Sequence, residues 1–263
     1  MLEVDKIYLG DCSEVMKQID DNSIDMILTS PPYDNLRNYK GYTFNFEKIA
    51  KELYRISKNG SILVWIVNDS TIDGSETGCS FKQALFFKEI GFNLHDTMIY
   101  WKNSFQFPEQ NRYANNFEYM FIFSKGRPRT TNIFKVPTNK ENRIKNKNSN
   151  YRTVSGETTP MKYATGKDER NKENIWIYEV GYQKSTNDKE AYEHPAIFPE
   201  KLAQDHILSW SNEGDLILDP MCGSGTTLKM AKKNKRKFIG IEISQEYYKL
   251  ACRRIDLTMI NLI

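Results

Sequence analysis

Cysteine is scarce in this chain, and its cysteines are far apart. Cys12, Cys79, Cys222 and Cys252 form no C-x-x-C pair among the 263 residues. Neither a zinc knuckle nor a disulfide framework is indicated by such a distribution, and we predict no metal site.

Long apolar runs are also lacking. No stretch approaches the roughly 20 apolar residues that a membrane-spanning helix needs. The first residues, Met1-Leu2-Glu3-Val4-Asp5, do not have the basic and then apolar pattern of an export signal. We therefore expect no membrane association and a cytoplasmic location. The length suits one large α/β domain, or such a core with an inserted module.

The net charge of +3 is small, but the charge is unevenly distributed. The segment from Lys125 to Lys172 contains thirteen Lys and Arg residues and only four acids. Aromatic residues, Tyr151 and Tyr163 in this segment and Trp176 just after it, are interleaved with the basic residues Arg143, Arg152 and Lys162. A charge run alone is typical of a solvated loop, whereas basic side chains beside aromatic ones favour a nucleic-acid surface.

Around this basic segment, apolar strand patterns alternate with helical patterns. Strands are predicted at 7–9, 24–28, 61–67, 94–101, 117–123, 215–219 and 237–243. Helices are predicted at 12–19, 46–56, 80–90, from Pro199 to Trp210, at 225–234 and at 244–256, with Asn59-Gly60 ending the second of these. The alternation predicts an α/β fold with a doubly wound, mainly parallel, Rossmann-like sheet. We predict core halves at 1–124 and 194–263, separated by a basic insert at 125–193.

A glycine loop follows one of the predicted strands. Its sequence is Asp219-Pro-Met-Cys-Gly-Ser-Gly-Thr-Thr227, and a helix follows it. Backbone N–H groups and the positive end of that helix can hold a cofactor here. The loop lacks the G-K-[ST] ending of a phosphate-binding loop and the third glycine of a dinucleotide fingerprint. Glu242 ends the next predicted strand, where an acid commonly holds a ribose diol. A nucleoside cofactor is indicated.

A rigid turn follows another predicted strand. Thr29-Ser30-Pro31-Pro32-Tyr33 contains two prolines, which fix two backbone φ angles and orient the nearby carbonyls and the tyrosine ring. The ring can stack on a planar base, while Ser30 and a turn carbonyl can accept hydrogen bonds from an exocyclic amine. Because parallel strands end at a common edge, the turn and the glycine loop are expected to share one crevice.

Together these motifs resemble those of the DNA amino-methyltransferases of the circularly permuted β group. In that group the S/D-P-P-Y motif comes first, the target-recognition region follows, and the F-x-G-x-G cofactor motif comes last. The resemblance covers nearly the whole chain and implies S-adenosyl-L-methionine as the cofactor. One departure is that Met221 and Cys222 replace the usual aromatic and a variable residue; Met can fill the same apolar role.

The resemblance assigns roles to individual residues. It implies that the methyl transfer takes place at Ser30, Pro31, Pro32 and Tyr33. It implies a set of cofactor-binding residues: Asp11, Asp219, Met221, Gly223, Gly225, Thr226, Thr227 and Glu242. The segment His194–Leu202 would help to wall the methionine end of the cofactor. The insert is where the family's recognition region belongs, and we expect double-stranded DNA to contact Arg143, Lys145, Arg152 and Lys162.

These positions predict the mechanism of methyl transfer but do not fully decide which base is methylated. A base inside a duplex cannot reach the crevice, so it must flip out against Tyr33. Its amine then attacks the sulfonium methyl directly, which needs alignment more than acid–base chemistry. Serine in the first motif position favours N4-cytosine, with N6-adenine as the alternative. No Pro-Cys is present, as C5-cytosine chemistry would require.

Other classes of protein are less well supported. Methyltransferases of RNA guanine or protein glutamine share a polar-Pro-Pro-Tyr motif, but it usually begins with Asn and follows the cofactor loop. An inert DNA-binding module would not need both motifs. A homodimer and a cognate restriction endonuclease are further partners that the resemblance allows.

Overall fold

In this computed structural model, the described residues are 2–32, 44–103, 111–138, 150–160 and 168–259. The chain divides into two compact units. The larger comprises Met1–Asn132 and Asn174–Ile263, and the smaller comprises Ile133–Glu173. Among the described residues, no helix is long and apolar enough to cross a membrane.

An eight-stranded sheet forms the centre of the described part of the larger unit. Its strands are β1 (Lys6–Leu9), β2 (Ile24–Thr29), β3 (Ser57–Val67), β6 (Asn93–Lys102), β7 (Phe117–Ser124), β12 (Ile175–Tyr178), β13 (Leu216–Asp219) and β14 (Lys237–Glu242). Their order across the sheet is β1-β14-β13-β2-β3-β7-β6-β12. The first five in this order run parallel; β7 is antiparallel to both β3 and β6, and β12 is parallel to β6. The prediction of a mainly parallel α/β sheet is confirmed.

Helices connect and cover these strands. They are α1 (Cys12–Val15), α2 (Phe46–Ile56), α3 (Cys79–Glu89), α4 (Glu200–Trp210), α5 (Thr226–Lys233) and α6 (Gln245–Asp256), with 3-10 turns at Met16–Gln18 and Lys189–Glu193. A small hairpin of β4 (Thr71–Ile72) and β5 (Ser75–Glu76) precedes α3. The helices form where expected because their apolar positions recur at helical spacing. In α2, for example, Ile49, Leu53 and Ile56 are buried in the core and Asn45 caps the first turn.

The end of α2 differs from the prediction. The helix ends at Ile56, and β3 begins at once with Ser57, so Asn59-Gly60 lies inside a strand. Gly60 has a φ of +84° and donates its N–H to the Lys125 carbonyl at 2.6 Å. The glycine therefore permits an irregularity at the start of a strand and does not act as a helix stop signal.

The smaller unit consists of two short antiparallel strand pairs in its described part. Strand β8 (Lys135–Pro137) pairs with β11 (Glu169–Asn171), and β9 (Asn150–Arg152) pairs with β10 (Thr158–Pro160). The whole unit contains ten Lys and Arg residues against five acids. It is therefore basic, as the sequence indicated for this part of the chain.

The smaller unit is shorter than the predicted insert of 125–193. At one end, the Lys125 ammonium contacts the carbonyls of Tyr54 and Ser57 in the core, and Arg129 pairs with Asp25. At the other end, Trp176 lies in β12, is 5% exposed, and stacks near His206. The suggestion that Trp176 belongs to a nucleic-acid surface is wrong, because its ring is used in the core.

Candidate functional site

The carboxyl edge of the sheet carries the candidate site. Strands β1, β2, β3, β13 and β14 all end there, and β12 ends there beside β6. Because β7 is antiparallel to its neighbours, its first residues and the last residues of β6 lie at this same edge. A cleft of about 1700 Å³ extends along it. The topology therefore brings the two sequence motifs together, although they are about 190 residues apart.

A buried hydrogen bond joins the two motifs directly. The Thr29 hydroxyl donates to Oδ1 of Asp219 at 2.8 Å, and both residues are almost completely buried. Thr227 adds a second contact, since its hydroxyl donates to the Leu28 carbonyl at 3.3 Å. The end of β2 and the glycine loop are thus held in a fixed relation. Thr29 stands in the predicted motif, but nothing in the sequence assigned it this role.

The backbone N–H groups of the glycine loop are largely used within the protein. The N–H of Met221 donates to Asp219, that of Cys222 to the Ile241 carbonyl, and that of Gly225 to the Cys222 carbonyl. The expectation that backbone N–H groups of the loop hold a cofactor is therefore not met at these three positions. These bonds fix the loop's shape, so a bound group would meet a preformed surface.

Glu242 is fixed by backbone N–H groups at both of its carboxylate oxygens, one from the glycine loop and one from the residue before α6. One oxygen accepts the N–H of Gly223 at 2.8 Å, and the other accepts the N–H of Ser244 at 2.8 Å. Burial raises the pKa of Glu242, while these backbone donors oppose that rise. A carboxylate has about four acceptor sites, so acceptor capacity remains for a ligand. The side chain lines the cleft.

Asp219 is an ionisable group in a completely buried position. Burial raises its pKa to about 6, against the opposing effect of the hydrogen bonds from Thr29 and Met221 and of the nearby Thr227 hydroxyl. The nearby Glu242 charge also raises the pKa. Asp219 is therefore mostly ionised at pH 7 and becomes protonated in mildly acidic solution.

The segment before α4 forms a wall of the cleft next to the glycine loop. The residues of this segment that line the cleft are His194, Pro195, Ala196, Ile197 and Phe198. A Cβ on Gly223 would lie 2.9 Å from Nε2 of His194, and the φ of Gly223 is +51°. Only glycine fits this position without displacing the wall.

A buried arginine that no sequence motif identifies supports the loop from behind. Arg254 is 1% exposed and contacts the Ser224 carbonyl, while its other nitrogens bind Asp188 at 2.6 Å and Glu200 at 3.2 Å. Lys229 binds the same two carboxylates. Two acids balance two bases in this cluster, so the buried charge is compensated. Only the folded helix α6 brings Arg254 under the loop.

The structure separates the predicted cofactor residues into two groups. The residues that line the cleft are Asp11, Asp219, Met221, Gly223, Thr226 and Glu242. Gly225 and Thr227 are buried on the side of the loop that faces away from the cleft, where Gly225 lies against Ala251. They act on the shape of the loop, and the structure does not place them on the surface of the cleft.

The predicted residues of methyl transfer and DNA contact are described only in part. Ser30, Pro31 and Pro32 line the same cleft as the glycine loop, whereas Tyr33 lies outside the described residues. Arg152 is exposed in β9, and Arg143, Lys145 and Lys162 lie outside the described residues, as does Tyr163.

The cleft's buried thiols are not activated. Burial raises the pKa of Cys12 to about 12 and raises that of Cys222 well above its usual range. Both stay protonated at neutral pH, and a thiol is a weak nucleophile in that form. In the described part of the chain, no group of three or more His, Cys, Asp or Glu could hold a metal ion.

A glycine loop suited to a nucleoside cofactor and a Pro-Pro turn lie in one cleft of a mainly parallel sheet. This combination places the protein in the methyltransferase class of transferases. Comparison with known proteins gives the particular family. A family model described as DNA methylase, for N6 and N4 enzymes, matches residues 24–253. The chain belongs to this family and is a DNA methyltransferase, with S-adenosylmethionine as its cofactor.

Individual relatives agree with this family. The orphan methyltransferase M.BamHII of Bacillus amyloliquefaciens is 58% identical over 241 residues, which are 91% of each chain. The fold matches that of PvuII DNA methyltransferase, described as cytosine-N4-specific, with a TM-score of 0.70 and 20% identity over 98% of this chain and 87% of that one. A DNA modification methylase of Thermus thermophilus, complexed with S-adenosyl-L-methionine, has a TM-score of 0.65 and 22% identity over 95% and 92% of the two chains.

Proposed function

We propose that this DNA methyltransferase modifies the exocyclic N4 of a cytosine that is flipped out of double-stranded DNA. The observation that carries the proposal is the Thr29–Asp219 hydrogen bond, which joins the Ser-Pro-Pro turn to the cofactor loop in one cleft. A substrate amine at the turn would thus lie beside the group held by the loop. N6-adenine is the alternative, since the family includes both kinds of enzyme.

The residues of the cleft fit an S-adenosyl group. The Glu242 carboxylate lies at the end of β14 with acceptor capacity for a ribose diol, and Ile243 and Tyr247 offer apolar surface next to it. Asp11 follows β1, the strand that pairs with β14; it lines the same cleft and caps α1 by accepting from Ser13. When bound, the cofactor supplies an electrophilic methyl group on a sulfonium.

The chain's own contribution is to place and prepare the amine. Ser30 and Pro31 line the cleft, so the Ser30 Oγ and the Pro31 carbonyl are candidates to accept hydrogen bonds from the amine and draw its nitrogen toward tetrahedral geometry. The nitrogen lone pair, otherwise delocalised into the ring, is then localised for attack, and the amine proton leaves to solvent after transfer. Acceptors that strengthen as the amine rehybridises stabilise the transition state more than the ground state.

We further propose that the basic unit at 133–173 contacts DNA phosphates through Arg143, Lys145, Arg152 and Lys162. Its charge excess and the exposure of Arg152 support this role. A homodimer, a cognate restriction endonuclease and the cytoplasmic location stay predictions.

The test is incubation of unmethylated DNA with labelled S-adenosylmethionine, followed by mass spectrometry of the nucleosides. We expect N4-methylcytosine and no 5-methylcytosine. Cys222→Ser should keep activity because no thiol nucleophile takes part, while Ser30→Ala should lose turnover more than DNA affinity. N6-methyladenine would refute the choice of base, and 5-methylcytosine, or an inactive Cys222→Ser that still binds cofactor, would refute the mechanism.

A further inference from the structure

The end of the cleft away from the glycine loop carries three polar side chains that the proposed methyl transfer leaves without a role. Tyr100 and Lys102 lie near the end of β6, and Glu118 lies at the start of β7. Tyr100 and Glu118 are directly paired across the two strands. In the order of strands, β2 with its Ser-Pro-Pro turn lies between this group and the loop after β13. The three residues therefore lie beyond the amine site, on the side away from the cofactor.

The Tyr100 hydroxyl has no hydrogen-bond partner among the described residues, although the residue is only 2% exposed. Its neighbour Tyr178 provides a contrast, because that hydroxyl donates to Asp205 at 2.9 Å and the residue does not line the cleft. Buried polar groups are nearly always hydrogen-bonded in native proteins. The Tyr100 oxygen is not among the fully buried unpaired side-chain atoms of the described residues, and Tyr100 lines the cleft, so its hydroxyl is a donor that a ligand in the cleft can satisfy.

A half-buried ion pair lies beside this hydroxyl. The Lys102 ammonium is 2.6 Å from the Glu118 carboxylate, with side-chain exposures of 27% and 13%. The same ammonium lies 5.8 Å from the centre of the Tyr100 ring. An ammonium carries three donors, and Glu118 uses one of them in this ion pair. Glu118 thus holds Lys102 in place at the cleft and compensates its charge.

We propose that Tyr100 and Lys102 donate hydrogen bonds to the ring edge of the flipped-out base, with Glu118 as the positioning residue for Lys102. The inference rests on the proposed function, which places the exocyclic amine at Ser30 and Pro31. Beyond that amine, the Watson–Crick edge of cytosine offers two acceptors, N3 and O2. Two adjacent donors match this edge.

The same two donors disfavour adenine. Next to its amine, adenine offers the N1 acceptor and then a C–H group at the place of the cytosine O2. One of the two donors would then stay unpaired in a buried site, and sites built around hydrogen bonds discriminate strongly against a substrate that lacks the partner. Tyr100 and Lys102 would therefore act as specificity-determining residues.

The experiment compares Tyr100→Phe with Tyr178→Phe as the matched control, and Lys102→Met with Lys102→Arg. Cofactor affinity is measured by calorimetry without DNA. Methylation kinetics use a duplex with a site that the wild-type protein modifies, and binding compares this duplex with one that is abasic at the target position. Thermal unfolding shows that each variant is folded.

We expect Tyr100→Phe to keep cofactor affinity within about twofold, to lose at least about tenfold in kcat/KM for DNA, and to lose preference for the intact duplex over the abasic one. Lys102→Met should behave likewise, with partial rescue in Lys102→Arg.

Unchanged kinetics in Tyr100→Phe, an equal loss in Tyr178→Phe, or a proportional loss of cofactor affinity would overturn the inference while leaving the proposed function intact. A wild-type protein that modifies no DNA amine would refute the proposed function itself, and an N6-methyladenine product would overturn the pairing of two donors with cytosine.

Discussion

Replacement of Thr29 by valine tests whether the contact between the two motifs supports cofactor binding. Valine keeps the shape of threonine but removes the hydroxyl that donates to Asp219 at 2.8 Å. Asp219 would keep the Met221 N–H as a donor, so the loop loses only one of its supports. Because the hydrogen bond favours the charged carboxylate, its loss raises the pKa of Asp219 further above about 6.

The magnitude follows from the strength of the lost bond. A hydrogen bond to a charged group contributes about 1.5 kcal/mol or more, which corresponds to a shift of about one pH unit in the protonation midpoint. Near pH 6, the ionised fraction of Asp219 would then fall from about one half to about one tenth. If the ionised form is the one that orders the loop, cofactor affinity at pH 6 should fall about fivefold in addition to any loss at pH 8.

The sign of the pH dependence is specific to this group. The folded-state pKa of Asp219 is raised above its ordinary value of 3.8, so its effect on folding stability is most favourable below pH 3.8 and is lost as the pH rises through about 6. Cofactor affinity should show the opposite trend, because the ionised carboxylate accepts the loop's N–H. A stability curve alone would therefore not identify this role.

The assay is calorimetric titration of S-adenosylmethionine at several pH values between 5 and 8. Thr29→Ser should restore the wild-type pH midpoint of cofactor affinity, since serine keeps the hydroxyl. Thr130→Val is the matched control, because Thr130 is a buried threonine bound to Asn212 and does not line the cleft. The same midpoint in wild type and Thr29→Val would refute the reasoning, as would an equal shift in Thr130→Val.

Two other predictions concern the acid at the end of β14 and the basic unit. Glu242→Gln should weaken cofactor binding by about tenfold or more, because both oxygens accept backbone N–H groups and an amide NH₂ would oppose one of them. Calorimetry checks this, with replacement of the exposed Asp256 by asparagine as the control. Wild-type cofactor affinity in Glu242→Gln would contradict the prediction. Charge reversal of Arg143, Lys145 and Arg152 together should weaken DNA binding and reduce its salt dependence by up to about one unit per lost phosphate contact, with cofactor affinity unchanged. DNA binding that is unaffected in this variant would show that the unit is only a solvated loop.

Much of the fold could be predicted because apolar periodicity and loop chemistry agree along most of the chain. Ile49, Leu53 and Ile56 mark α2 through their helical spacing, and Leu216 to Leu218 mark a buried strand. The end of α2 could not be predicted in the same way. Glycine after a helix usually signals a stop, yet Gly60 is needed inside β3 to approach Lys125. Local sequence does not distinguish the two uses.

The limits of the basic insert illustrate a second kind of failure. The charge run begins at Lys125, but a positive side chain can bind a core carbonyl or carboxylate as well as a phosphate. Arg129 pairs with the buried Asp25 from β2, a contact that spans 104 positions in sequence. Trp176 is likewise placed by β12 pairing with β6. Long-range pairing decides these positions, and composition carries no information about it.

The candidate site shows the same division between local and long-range causes. Asp219, Gly223 and Glu242 stand in motifs whose chemistry is local, so the sequence identifies them. Thr29 and Arg254 support the same loop from β2 and α6, and only the folded sheet brings them to it.

The order of the strands also explains how one edge can carry two binding functions. The proposed cofactor loop follows β13 and the proposed ribose-binding acid, Glu242, ends β14, while the proposed amine site follows β2 and the polar group at Tyr100 lies on β6. A ligand on the β14 side and a base on the β6 side can therefore approach the Ser-Pro-Pro turn from opposite directions along the cleft. In-line methyl transfer requires this opposed approach. The arrangement depends only on the order of the strands in space. A chain in which the Ser-Pro-Pro turn precedes the cofactor loop in sequence can therefore form it as well as a chain in which the loop comes first.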